Sequence, residues 1–161
     1  MTSDRGWTFW VLVGLLVVGH FVLHLAIGLG ATAPDLLTPA LLLAARRIRG
    51  AVAAGLGLVL GLLQDSLSLD AFGAEAVTLT LLGYLGSRSR DLFVGDGTVF
   101  LLVYLFLGKW LHDVIVYALS GVPAQAEPLT WLLVFAPLAA VYTALAGVTA
   151  VAAYRSVSGE R

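Results

Sequence analysis

Six apolar runs follow one another along this chain, separated by turns too short to form a domain of their own. They cover residues 7–29, 34–45, 50–66, 72–86, 98–119 and 129–154. A helix needs roughly 20 apolar residues to cross a hydrocarbon layer, and most of these runs approach that length. Inside lipid a backbone must satisfy its own polar groups, which leaves helices or a closed barrel. No run alternates apolar and polar residues as a barrel strand does. The expectation is an all-α, polytopic integral membrane protein, a six-transmembrane-helix bundle forming a single domain over residues 1–161. Composition agrees: 12% of the residues are charged, against about 25% in soluble domains.

Two runs need separate treatment. The first precedes Ala31-Thr32-Ala33, which resembles a signal-peptidase site. A signal core spans about 7–15 apolar residues, and this run is longer; Asp4 beside Arg5 also spoils a positive head. It is read as a retained helix. The second run covers only about 18 Å at 1.5 Å per residue. It crosses only if Arg46, Arg47 and Arg49 snorkel at its end or the bilayer thins. Pro34 and Pro39 fall in its first turns, where proline is tolerated, and Thr38 is placed to cap a restart.

Basic residues decide the orientation. Arg5 precedes the first run, Arg46, Arg47 and Arg49 follow the second, Arg88 and Arg90 follow the fourth, and Arg155 and Arg161 follow the sixth. The turns after the first, third and fifth runs contain no Lys or Arg. Lys and Arg are retained on the cytoplasmic side, so both termini are expected in the cytoplasm. Trp7, Trp10 and Tyr154 then sit at the inner interface, and Tyr117 and Trp131 at the outer one. The acid-only turn GLLQDSLSLDAFGAEA, residues 61–76, falls outside, where Asp70 and Glu75 read as interfacial acids.

Several polar residues interrupt the apolar runs. Ala53, Gly57 and Gly61 recur at spacing four, a row that permits close helix approach, and Asp65 continues it next to Gln64. Three readings of Asp65 stand: a solvated loop residue, a cap or inter-helix hydrogen bond, or a contact to a partner or ligand. Lys109 lies near the middle of the fifth run, where a lone ammonium costs at least about 2.5–3.5 kcal/mol. Asp113, one turn on, is its expected partner. The pair reads as an internal ion pair or as part of a proton or substrate path. If the pair is purely structural, exchanging its charges should rescue folding. His20 and His24 share one helix face and suit inter-helix hydrogen bonds or, with a third ligand, a metal. Counted by depth, His20, His24, Asp65, His112 and Asp113 fall in the outer half and Lys109 near the midplane. One polar cluster among the first, third and fifth helices is expected. Ala136, Ala140 and Ala144 give the sixth run a close-packing row, internal or for a partner's helix.

No nucleophile–base pair, phosphate loop or cofactor motif is present, and no basic arm suits nucleic acid. With no cysteine in the chain, thiolate chemistry and disulfides are excluded. The chain reads as no enzyme and as needing no cofactor.

Pro34-Asp35-Leu36, Arg46-Arg47, Gly61-Leu62-Leu63-Gln64-Asp65, Phe72-Gly73 and Gly83-Tyr84-Leu85 occur in that order. Over about residues 34–90 the chain resembles the MreD family, rod-shape-determining membrane proteins of bacterial cell-wall elongation. The resemblance implies a six-helix bundle similar to the substrate-binding components of energy-coupling-factor transporters. It also implies a non-enzymatic role beside MreC, in a complex with MreB, RodA and a class B penicillin-binding protein, in the cytoplasmic membrane. Asp65 and Gly73 fall on the family's motif; Lys109 and the two histidines lie outside it. A vitamin-binding subunit of an energy-coupling-factor transporter, with the outer polar cluster as its pocket, is the alternative.

Overall fold

The computed structural model describes residues 4–26, 34–67, 72–92, 97–120 and 130–158, and all the structure it describes is helical. The order is α1 (Asp4–Phe21), a π-helical turn (Val22–Ala26), α2 (Leu37–Ala45), α3 (Gly50–Asp65) and α4 (Ala74–Leu92). Then come α5 (Thr98–Leu119), a second π-helical turn (Trp131–Phe135) and α6 (Ala136–Ser158). The Ala31-Thr32-Ala33 triplet, Asp70, and the ends expected at residues 29 and 129 lie outside the described residues. The fourth helix was expected to stop at residue 86; α4 runs on to Leu92, carrying Arg88 and Arg90 on its last turns. The sixth likewise continues to Ser158, with Arg155 in its last turn. Arginine at a helix C-terminus faces the negative end of the backbone dipole, so these residues extend their helices.

Contacts at the two ends show that successive helices run in opposite directions. At one end Arg47 lies over the Phe9 ring, Arg46 over Phe100, Thr8 bonds Tyr154, and Ser87 donates to the Ile48 carbonyl. At the other, His20 meets Gln64, His112 meets Glu75, and Tyr117 stacks on Trp131. Arg46, Arg47, Arg90 and Arg155 all gather at the first end. Three stretches, Gly6–His24, Thr98–Leu119 and Trp131–Val157, are long and apolar enough to cross a membrane.

The short second helix escapes the length problem posed by its sequence. All nine residues of α2 are buried, because α1, α3, α4, α5 and α6 all pack against it. A helix that is apolar all round belongs in an interior, and α2 touches protein where the others touch lipid. Its start also differs from expectation. Asp35, not Thr38, caps it: Asp35 Oδ1 accepts from the backbone N–H of Leu37 at 2.9 Å and of Thr38 at 3.2 Å. The Thr38 hydroxyl donates to Asp35 Oδ2 at 2.6 Å.

The α3 and α4 helices meet almost backbone to backbone. Ala53, Gly57, Gly61 and Asp65 form one buried row on α3. A Cβ built at Gly57 would overlap the Leu79 carbonyl, and one at Gly61 would overlap the α4 backbone at Ala76. Gly83 on α4 is held equally close to the Ala53 carbonyl. The small-residue row of α6 is also internal, with Ala136, Ala140 and Ala144 at most 1% exposed. It is spent on the bundle, chiefly against α5, and offers nothing to an outside helix.

Gly57→Ala should therefore destabilise the detergent-solubilised protein by about 1–3 kcal/mol, the usual cost of overpacking. Gly55→Ala, where an added Cβ meets nothing within 4 Å, should be neutral or slightly stabilising. Thermal unfolding of the two variants side by side checks this.

Candidate functional site

The polar residues converge at the end of the bundle opposite the arginines. Lys109, on α5, is the centre. Its Nζ lies 2.7 Å from Asp113 Oδ1 and 3.0 Å from Asp35 Oδ2. Asp113 is one turn along the same helix, as its spacing requires. Asp35 comes from ahead of α2, and its part in this pair was not foreseen. In the sequence Asp35 stands out only as part of the Pro34-Asp35-Leu36 motif. The available signal was that an acid adjoining a helix too short to cross must sit inside the bundle.

His112 follows Lys109 on the same face of α5. Its Nε2 lies 2.8 Å from Glu75 Oε2 on α4, and its Nδ1 lies 3.1 Å from Asp113 Oδ1. Both nitrogens can donate at once only in the imidazolium form. With His112 in that form, two cations face three carboxylates. Glu75 had been read as an interfacial acid; the fold carries it inward, because the first turn of α4 packs against α3.

His20 and His24 stack on one another with ring centroids 4.1 Å apart. His20 Nε2 donates to Gln64 Oε1 at 3.2 Å, joining α1 to α3. Its Nδ1 stands 3.5 Å from Asp35 Oδ1, an electrostatic approach too long for a good hydrogen bond. His24 Nδ1 donates to the His20 carbonyl at 2.9 Å, which lies at the start of the π-helical turn. Every described helix except α6 therefore reaches this cluster, through its own side chains or through Asp35 ahead of α2. The expected cluster of three helices is larger than predicted.

Asp65 lies beside the cluster and belongs to a different task. It is 1% exposed, so it is no solvated loop residue. Its two carboxylate oxygens accept from the backbone N–H groups of Glu75 at 3.1 Å and Ala76 at 2.9 Å. Those are unpaired donors at the N-terminus of α4, and a carboxylate there also faces the positive end of the helix dipole. The Asp65 row on α3 thus ends by capping the helix it packs against. Gly73, in the turn before α4, has φ of +98°, a conformation that glycine adopts without the strain of a Cβ. Glu75 links the two features: its backbone is held by Asp65 and its side chain by His112.

The cluster surrounds a cavity of about 130 Å³, well below the roughly 300 Å³ at which ligand sites begin. His20, His24, Asp35, Gln64, Glu75, Lys109 and His112 line it. Its charged groups are paired with one another across helices, which makes it a clasp before it is a receptor.

The family model for the rod shape-determining protein MreD matches residues 4–151. The chain belongs to the MreD family. The match takes in every described residue of the polar cluster, including Lys109 and the histidines, which the resemblance over residues 34–90 left out. No curated protein and no solved structure matches the chain. MreD is a shape-determining family and not an enzyme family, and it implies a role in rod shape determination. Together with the apolar helices, it makes this chain a membrane protein.

The paired contacts of Lys109 change the expected outcome of a charge exchange. Lys109→Asp with Asp113→Lys recreates one pair but sets the new carboxylate against Asp35. The exchange should not restore the wild-type melting temperature, whereas a pair isolated on α5 would recover most of it. Thermal unfolding of the two singles and the double distinguishes these outcomes.

Proposed function

We propose that this chain is a non-enzymatic scaffold of cell-wall elongation. It binds the membrane helix of MreC and through it links cytoplasmic MreB to RodA and a class B penicillin-binding protein. It resides in the bacterial cytoplasmic membrane with the arginine-bearing end and both termini in the cytoplasm. The observation that carries this reading is the self-paired polar cluster. Its acids and bases bond one another between helices and so hold a frame, as a scaffold needs. A vitamin carrier would instead need a cavity of about 300–1,000 Å³ with polar groups turned to the solute, and the cavity of about 130 Å³ counts against that alternative. The family's role in rod shape points the same way.

Depletion of the protein from a rod-shaped host should produce rounded cells, and affinity purification from intact membranes should recover MreC. Rods that persist after depletion, with a vitamin and ATPase subunits in the purified material, would establish the carrier reading instead. The absence of cysteine lets single-cysteine labelling check orientation. Ser156→Cys should be labelled only from the cytoplasm and Ser66→Cys only from outside.

A further inference from the structure

One nitrogen in the polar cluster lacks what its neighbours have. His20 is 3% exposed, and its Nδ1 is buried with no hydrogen-bond partner. Because Nε2 donates to Gln64 Oε1, Nδ1 of the neutral ring is a bare acceptor. It faces Asp35 Oδ1 at 3.5 Å, so two acceptors confront each other with no proton between them. A buried acceptor without a donor is costly, and the arrangement calls for one.

The surroundings define that donor. His20 lines the cavity of about 130 Å³ together with Asp35, Glu75 and His24. His24 donates through Nδ1, which leaves its Nε2 as an acceptor. Glu75 meets His112 through Oε2, and no described residue donates to its Oε1 or to His24 Nε2. Charge has the same sense. The carboxylates of Asp35, Asp113 and Glu75 face only Lys109 and the His112 imidazolium, which leaves one negative charge uncompensated.

A metal ion does not fit. No three His, Asp or Glu among the described residues are placed to share one, and hard cations take oxygen ligands, not a ring nitrogen. Water would serve His20 Nδ1 but would add no charge. An ammonium group supplies N–H donors and the missing positive charge, and it carries no acceptor to oppose those present. It is about the size of a water, for which roughly 10–15 Å³ of cavity is enough.

We propose that this cavity binds a primary ammonium group, with one N–H on His20 Nδ1 and its charge toward Asp35 and Glu75. A free small amine and the ethanolamine headgroup of a lipid share that chemistry. Binding there completes the clasp electrically; it goes beyond the scaffold role and does not depend on it.

The test uses the purified full chain at neutral pH. Thermal unfolding is followed during titration with methylammonium, tetramethylammonium or sodium chloride at constant ionic strength. Methylammonium should raise the melting temperature, because a ligand of the folded state stabilises it. Sodium and tetramethylammonium, the latter equal in charge but without N–H, should not. Nitrogen NMR of the wild-type His20 ring should show a proton on Nε2 only, with Nδ1 shifting as methylammonium binds. His20→Phe should weaken methylammonium at least about tenfold, the loss of one charge-assisted hydrogen bond. If that variant fails to fold, the wild-type ring spectrum decides alone. Native mass spectrometry then separates the two sources. Preference for phosphatidylethanolamine over phosphatidylcholine, competed by methylammonium, assigns the site to the lipid headgroup; indifference to the lipid, with methylammonium bound, assigns it to a free amine. A His20 ring carrying a proton on Nδ1 without ligand would overturn the proposal, since the acceptor would not exist. So would a melting temperature that methylammonium leaves unchanged, or one that all three cations raise alike.

Discussion

A buried ammonium ion cannot stand alone in hydrocarbon, and Lys109 makes the rest of this bundle answer that requirement. Removing a charge from water costs several kcal/mol, and the cost is offset only when counter-charges arrive with good geometry. Asp113 is supplied by the same helix. Asp35 must be brought from another segment, and bringing it sets the position of α2. Because Asp35 also caps α2, the ion pair and the helix start are one structure. A displaced α2 would lose its cap and leave Lys109 half-paired.

From that point the packing follows outward. With α2 buried by its neighbours, the other helices form a wall around it, and its length no longer has to match the bilayer. The α3–α4 pair contributes to the wall by glycine contact, which brings Asp65 against the first turn of α4. That cap fixes the first turn of α4, where the Glu75 side chain meets His112 and so ties α4 to α5. Steric fit and charge pairing therefore specify the same arrangement, a consistency expected of sequences that fold to one state. A frame of this kind suits a protein whose family role is cell shape and not turnover of a substrate.

Much of this was legible in the residues. The apolar runs and the alternation of arginines predicted six antiparallel helices, and the structure has them. The Gly57–Gly61–Asp65 row announced a close interface, since spacing four puts its members on one face. The enclosure of α2 was not legible, because a short apolar run reads alike whether lipid or protein surrounds it. Asp35 and Glu75 were missed for a related reason. An acid at the edge of an apolar run looks interfacial, and only tertiary packing turns it inward. Depth counting grouped Asp65 with the cluster correctly in height but not in role, since it carries no information about azimuth.

The dependence of the bundle on the Asp35–Lys109 contact is best measured by a double-mutant cycle. Asp35→Asn, Lys109→Met and the double variant would be compared by equilibrium unfolding in the same detergent. Each single change leaves a buried charge short of a partner, so the two effects should be strongly non-additive, with a coupling of about 1–3 kcal/mol. Additivity to within about 0.5 kcal/mol would mean that the two residues act independently, and the ion pair would not be what holds α2 in place.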